Sequence, residues 1–533
     1  MQNEAKNNHI LEIPGEAVSS ESILLLWKKA QEGKKDITYQ IYRDNRLVAE
    51  TTETSYLVKD LQADTVYEFV IKIDGMQYSN VVSMATEKER VRISVRETGA
   101  VGDGLTDDTE AIQKAIDSCP VNGCVVVPAG TYVSGALFLK SNMEFCVERG
   151  GCLLGSTKLE MYPVRRYRFE GIETDCYSSL LNICTEPAEL EKAKACRMGK
   201  VEHVRITGHG VIDASGSQLR QKELTQGKGK PGRAICFACT DGVYFQDITV
   251  RQCPAWCVHM IYCRHVTFYG IGIYTKYDER GKKYPGIVNG DGLDIDSCSH
   301  VQVLHSLIAS EDDCIAIKSG RDLQGREIGI PSEDILVSDC RFESGFGVVV
   351  GSEMSGGVRN VLVQDCICRN VYSAVSIKVP RGRGGVIEDI CYENIDHEYT
   401  QELTDCKWFR GAIYLDMYYG EENPDLDREE VTEATPVIRN ISIRNVRTKT
   451  SGGYAVYMAG LPESRLYGIT MENVQAVGEK NCRIVHTELV NVENVTIDTD
   501  MKQVENVTSA TGLRQVQDVH DQHRLKGKEE DDG

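Results

Sequence analysis

The chain has 533 residues and a formal net charge of −20, with 41% apolar but only 7% aromatic side chains. That length exceeds one ordinary small domain and allows one large unit plus an extra piece at an end. The negative charge excludes general binding to nucleic acid or to an anionic membrane, both of which need a broad basic surface, so an anionic substrate must meet a local basic site. No stretch of about 18 apolar residues is present, and the start, Met1 to Lys6, lacks a basic segment followed by an apolar one. With 20 cysteines in so long a chain, the expectation is a cytoplasmic protein with reduced, buried thiols, or a secreted one if a leader precedes this sequence.

In chain order, residues 12–88 alternate short apolar runs with polar turns. Ile23-Leu24-Leu25-Leu26-Trp27, Tyr39-Gln40-Ile41-Tyr42 and Tyr67-Glu68-Phe69-Val70-Ile71 predict a small β-sandwich. Tyr67 follows Leu61 by six residues, which resembles the tyrosine corner of fibronectin type III modules, with Trp27 as the early core aromatic. A spacer without chemistry of its own is expected there. Beyond Val91-Arg92-Ile93-Ser94-Val95, Thr109 is placed to cap a helix over Glu110 to Cys119, whose Ala111, Ile112, Ala115 and Ile116 share a face. Asp107 and Asp108, just before it, are read as helix-start carboxylates. Val125-Val126-Val127 then predicts a buried strand.

A repeat follows, in which a strand-like triplet ends in Asp or Asn and then Cys or an apolar residue. It recurs from Ile335, Val361, Ile390, Ile441 and Ile469, with starts 26, 29, 51 and 28 residues apart, the third gap spanning two periods. A period in the twenties with one strand set per repeat marks a solenoid, and aligned Cys and Asn favour a parallel β-helix in which like residues stack coil on coil. The all-β solenoid is expected over residues 92–505. The polar stretch 515–533 is expected to be disordered.

The densest chemical signal is Asn289-Gly290-Asp291-Gly292-Leu293-Asp294-Ile295-Asp296, followed one coil later by Asp312-Asp313-Cys314-Ile315-Ala316-Ile317-Lys318. Coils stack about 4.8 Å apart, so Asp291 and the Asp312-Asp313 pair become neighbours. Three carboxylates that close repel one another, which raises at least one pKa and retains a proton for general-acid work. Glycoside hydrolysis needs that pairing: one carboxylic acid for the leaving oxygen and one carboxylate for water.

Here the sequence resembles glycoside hydrolase family 28, the polygalacturonases, and in particular its exo-acting bacterial branch. The resemblance spans residues 92–500. It rests on Asn289-Gly290-Asp291, Asp312-Asp313, Lys318-Ser319-Gly320-Arg321-Asp322, Gly351-Ser352-Glu353-Met354-Ser355-Gly356-Gly357 and Arg381-Gly382-Arg383-Gly384-Gly385. It implies a right-handed parallel β-helix of the pectate-lyase-like type and inverting, exo-acting cleavage of α-galacturonosyl bonds in pectic oligosaccharides, with no cofactor or metal. It also implies Asp312 as general acid and Asp291 and Asp313 as the residues that activate water. Two positions depart from the family pattern. Its Gly-His-Gly falls at Gly345-Phe346-Gly347, and its Arg-Ile-Lys at Ser376-Ile377-Lys378. Phe346 cannot hydrogen-bond as His does, and Ser376 cannot grip a carboxylate with two donors. Substrate binding is therefore assigned to Asn289, Phe346, Ser376, Lys378 and Arg383, with Lys378, Arg381 and Arg383 as sources of local positive charge. Gly208-His209-Gly210 lies upstream, in a strand-turn pattern, and is read as structural.

Three other readings stay open. The departures at Phe346 and Ser376 suit a galacturonohydrolase acting on rhamnogalacturonan-type fragments, whose leaving sugar is neutral. They also suit a non-catalytic, polysaccharide-binding β-helix. A calcium-dependent lyase is the third, because Asp291, Asp294 and Asp296 resemble oxygen ligands.

Overall fold

The computed structural model describes residues 11–30, 36–183, 201–401, 409–421 and 427–499. The tail expected to be disordered lies outside these residues.

Successive coils of three short strands build a parallel β-helix. One coil runs through Leu293–Asp296, Ser299–Leu304 and Leu307–Ala309, and the next through Ile315–Lys318, Ser332–Ser338 and Arg341–Ser344. Corresponding strands pair in parallel. They form an 11-stranded sheet on one side and a 24-stranded sheet that carries the other two strands of each coil. Because side chains alternate along a strand, this register makes inward ladders of like residues. Ile295, Ile317, Val350, Ile377, Leu415 and Met458 stack through six coils, all without solvent exposure. Burying each such side chain stabilises the fold by roughly 1.5–3 kcal/mol, so the small, branched composition suffices without many aromatics.

The Asp or Asn of the repeat has a backbone reason. Asp339, Asp365, Asn394, Asn445 and Asn473 all take the left-handed conformation, with φ of 51° to 56°, where only Gly, Asn and Asp sit at small cost. Their side chains also bond along the helix axis: Asn394 Nδ2 donates to Asp365 Oδ1, Asn473 to Asn445 and Asn494 to Asn473, each at 3.0 Å. The cysteines after them are buried, and Cys340 and Cys366 are fully or nearly fully enclosed.

The helix forms over Thr109–Ser118, one residue earlier than expected. Thr109 is its first residue and Asp108 its cap position. The Asp108 carboxylate instead accepts the N–H groups of Val101 and Gly102 at 2.7 and 3.0 Å, so this buried acid anchors the preceding loop. Asp107 accepts the N–H and hydroxyl of Thr109. Both acids are structural.

Among residues 11–30 and 36–85 the chain forms two antiparallel sheets. Leu11–Glu12, Ile23–Trp27 and Ser55–Val58 make one, and Tyr39–Arg43, Arg46–Thr51, Val66–Ile73, Met76–Gln77 and Val82–Ala85 the other. Ile23, Leu25, Trp27, Tyr39, Ile41, Val58, Phe69 and Ile71 pack between them. The Tyr67 hydroxyl accepts the N–H of Gln62 at 2.9 Å, the contact expected of a tyrosine corner.

The module does not stand off as a spacer. Leu24, Leu26 and Leu57 point away from its own core and pack with Ala17 against Tyr244 and Leu304 of the β-helix. Polar contacts surround this patch. Arg205 donates to the carbonyls of Glu16 and Val18, Ser55 bonds His305, and Gln364 donates to Thr54. Lys29 pairs with Asp365 at 2.6 Å and Glu393 at 3.6 Å, all three side chains being at most 11% exposed. Removing one partner of a buried pair strands the other charge. Lys29→Ala should therefore lower unfolding stability by about 3–5 kcal/mol, read as a fall in the denaturant midpoint. An unchanged midpoint would show that docking does not depend on this ion pair.

Candidate active site

The chemistry-bearing residues gather on the outer face of the 11-stranded sheet. Asp296, Lys318, Gly351, Lys378 and Asp416 occupy one outward column in successive coils. Lys318 faces the preceding coil rather than solvent: its Nζ lies 2.6 Å from Asp294 Oδ1 and 3.2 Å from Asp291 Oδ2. Its ammonium also sits 3.9 Å from the Trp256 ring centroid. Lys378, two coils on, donates to both oxygens of Asp313 at 3.1 and 2.9 Å. The loops before the strands thus supply acids, and the strand ends supply ammonium groups.

A cavity of about 130 Å³ opens between them, lined by Asn289, Asp291, Asp312, Asp313, Lys318 and Lys378 together with Phe169, Glu170, Trp256, Ser352, Glu353 and Tyr419. All three aspartates singled out by their spacing meet there. Asp291 and Asp313 are buried and each holds an ammonium partner, whereas Asp312 is only half-buried. Among the described residues no cation pairs with Asp312. The Asp312 carbonyl accepts the Phe346 N–H at 3.1 Å, and Gly345, with φ of 89°, lies against that same carbonyl. A Cβ at 345 would collide with it, so glycine is required where the next coil passes beneath the acid.

Burial governs the electrostatics. It pushes Asp291 well above the ordinary carboxylate range against the pull of Lys318, with Asp294, Asp312 and Asp313 adding repulsion. Burial likewise raises Asp294 to about 7 despite Lys318, and Asp313 to about 6 despite Lys378. The cluster as a whole retains protons near neutrality, a property of the coupled group more than of one member. Asp296 behaves oppositely. Burial would raise it, but Arg168 and His259 outweigh that and hold it at about 2. Arg168 belongs to an inserted antiparallel hairpin, Val164–Phe169 with Ile172–Tyr177. Its guanidinium reaches Asp296 at 2.5 Å and Ser297 at 3.0 Å, and bonds the Tyr262 hydroxyl. This clamp seats Phe169 on Trp256, with rings stacked at 4.8 Å, and so places Phe169 and Glu170 as one wall of the cavity.

The sequence pattern of "Glycosyl hydrolases family 28" matches residues 145–510. The chain belongs to that family. A second pattern, "Rhamnogalacturonase A/epimerase, pectate lyase-like", matches residues 92–146. A probable polygalacturonase of Vitis vinifera is 28% identical over 75% of this chain and 76% of its own length. An exo-poly-alpha-D-galacturonosidase of Dickeya chrysanthemi is 24% identical over 83% and 82%. Among solved structures, a family 28 exopolygalacturonase of Yersinia enterocolitica superposes with a TM-score of 0.78 at 21% identity, covering 93% of this chain and 96% of that one. A hyperthermoactive exopolygalacturonase of Thermotoga maritima gives 0.60 at 28% identity, over 78% and 93%.

In this family 28 glycoside hydrolase the remaining expected binding residues divide. Asn289 and Lys378 line the cavity; Phe346, Ser376 and Arg383 do not. The Phe346 ring stands 5.5 Å from Lys378 Nζ and packs with Tyr372 and Phe409. Ser376 is 1% exposed, in the column between Val349 and Tyr414, and among the described residues its hydroxyl has no hydrogen-bond partner. Arg383 faces Asp322 at 3.3 Å, and Arg381 is taken by Glu463 and Glu429. Asp294 and Asp296 are no calcium ligands, because Lys318 and Arg168 occupy the places a cation would take. His209 lies on the surface near Asp247, away from the cavity. The sequence reading missed Lys318, Trp256, Glu353 and Tyr419. Lys318 carried the one available signal, since it lies five residues after Asp313 on a strand whose alternation turns it to the same face as Asp294.

The raised carboxyls fix a sign for pH dependence. Unfolded aspartates ionise near pH 4, while Asp294 keeps its proton to about 7. Between these values the folded state binds more protons, so its stability falls as pH rises and the loss is complete above the folded value. Asp294→Asn cannot ionise and should flatten part of that decline. Denaturant midpoints of parent and variant measured from pH 4 to 8 check this, and parallel curves would contradict it.

Proposed function

We propose that this enzyme releases galacturonate from the ends of pectic oligosaccharides by hydrolysis, with Asp312 as general acid and Asp291 and Asp313 activating water. The observation that carries this reading is the convergence of the three carboxylates on one small cavity with Lys318 and Lys378. The names of the Dickeya and Thermotoga relatives support the substrate class and the exo mode. Exo action also suits the walls, since Phe169 and Glu170 on one hairpin and Ser352 and Glu353 on a loop enclose the site.

The assignment of roles follows the resemblance to the family pattern. Burial raises Asp291 and Asp313, and the ammonium groups of Lys318 and Lys378 beside them oppose that rise and support their part as bases. As general acid in this scheme, Asp312 carries the proton at the wall of the cavity. As the glycosidic bond breaks, Asp312 delivers that proton to the leaving sugar, and water attacks the anomeric carbon as Asp291 and Asp313 accept its proton. Asp312→Asn should reduce kcat by about 10²-fold or more while oligosaccharide binding persists. Product analysis on homogalacturonan oligosaccharides should show galacturonate alone for the parent. Parental turnover in the variant, or saturation without turnover in the parent, would refute the scheme, the latter in favour of a binding protein.

A neutral sugar on the leaving side is favoured by the surroundings of Lys378. Ser376 offers a buried hydroxyl where the family pattern has arginine, Phe346 presents an apolar ring beside the ammonium, and Arg383 and Arg381 are held by acids. A charged leaving sugar loses a charge-assisted contact of roughly 1.5–3 kcal/mol in such a site, and a neutral one loses little. We therefore expect kcat/KM on galacturonosyl-rhamnose to equal or exceed that on galacturonosyl-galacturonate. A preference of about tenfold or more for the second, not raised further by Ser376→Arg or Phe346→His, would disprove this specificity while leaving the hydrolase intact.

A further inference from the structure

Outside the cavity, one cluster of metal-ligating side chains stands apart from everything the hydrolysis uses. It lies at the N-terminal end of the β-helix, on the outer face of two adjacent strands, Gly123–Val127 and Met143–Val147. Cys124 pairs in register with Glu144, and Val126 with Cys146. Because residues two apart share a face, Cys124, Glu144 and Cys146 project together, and their ligand atoms all lie within 4.8 Å of one another. Both thiols are free, and they are 1% and 8% exposed.

We propose that Cys124, Glu144 and Cys146 form a binding site for a soft divalent metal ion of the zinc class, distinct from the active site. Two thiolates and one carboxylate are the donors such an ion selects, with water completing a tetrahedron. Binding expels the two thiol protons to solvent, and no electron is transferred. Three anionic donors against a doubly charged ion leave one negative charge. Cations are placed to meet it. Arg90 Nε lies 3.4 Å from Glu144, and Arg92 is the register neighbour of Cys124. Thr207 of the next coil donates to Glu144 at 2.5 Å, orienting the carboxylate as outer partners of metal ligands do.

The register also argues against the obvious competitor, a disulfide. Cys124 stands opposite Glu144 and not opposite Cys146, so the two cysteines are diagonal. Strands about 4.8 Å apart and a two-residue offset put their Cα atoms roughly 8 Å apart, beyond the about 7 Å that a disulfide spans without moving the backbone. A metal bridges such a gap, since each sulfur need only reach a shared centre. The site would fasten the first strands of the solenoid where the chain enters from the N-terminal module, through Glu87, Arg90 and Glu144. End coils have a neighbour on one side only and need such reinforcement.

Cobalt is the probe. The full-length, reduced and metal-stripped protein is titrated with Co²⁺ and then with Zn²⁺. Expected are a near-ultraviolet thiolate-to-cobalt absorption band that saturates at a single ion per chain, its loss on adding zinc, and a rise in the thermal midpoint with zinc. Cys124→Ser and Cys146→Ser should abolish the band, and Glu144→Gln, which retains both thiols, should weaken cobalt binding by about tenfold or more. Galacturonoside hydrolysis should not change with metal. No band in the parent, a band that persists in a folded serine variant, or unaltered binding by Glu144→Gln would overturn the site. So would a Cys124–Cys146 crosslink found by mass spectrometry after hydrogen peroxide treatment of the folded protein.

Discussion

Everything in this molecule depends on stacking in register. A parallel β-helix repeats its backbone about every 4.8 Å, so a side chain on one coil finds its counterpart directly above and below. Inside, this brings Ile295, Ile317, Val350 and Ile377 into one apolar column. Outside, the same constraint puts Asp296, Lys318, Gly351 and Lys378 into line, with Gly351 pressed so closely against the Lys378 carbonyl that no side chain fits there. The cavity opens beside this line, between the two lysines and the loop carboxylates. Ammonium and carboxylate groups that would be costly to bury singly are neutralised by neighbours supplied one or two coils away. The carboxyls nevertheless keep protons to about 6 and 7 at Asp313 and Asp294, because burial and mutual repulsion outweigh the lysines. A site that stores protons near neutrality is suited to acid chemistry.

Much of this was legible in the sequence. The period in the twenties gave the solenoid, and the Asp or Asn closing each triplet proved to be a left-handed corner whose side chain bonds the next coil. Asp291, Asp312 and Asp313 could be placed together because motif spacing equalled one coil. What escaped was anything set by a separate excursion of the chain. The hairpin bearing Arg168 and Phe169 leaves the solenoid and folds back onto the sheet, and no periodicity predicts where its tip lands. Lys318 was visible as a residue, but its ownership by Asp291 and Asp294 depends on side-chain direction. Ser376 and Phe346 departed from the family pattern as noted, yet the structure buries Ser376 in the sheet and sets Phe346 among rings, so neither lines the cavity.

The N-terminal module shows a subtler signal. Ile23-Leu24-Leu25-Leu26-Trp27 is a continuous apolar run, where a strand with one solvated face would alternate. Such a run means burial on both sides, and all five residues are buried. Ile23, Leu25 and Trp27 serve the module's own core, while Leu24 and Leu26 serve the contact with Tyr244 and Leu304. The docking was written in the sequence as a missing alternation.

That docking also orders events in time. The module's own core joins residues within the first 85 positions and can form as soon as they exist. Its seat is built from far later residues: Ser55 meets His305 across 250 positions, and Thr54 meets Gln364 across 310. During synthesis Leu24, Leu26 and Leu57 therefore exist before Tyr244 and Leu304, the residues that cover them. Loop closure over such a separation is slow compared with local folding, and for that interval the growing chain carries an exposed apolar patch that later disappears beneath the finished solenoid.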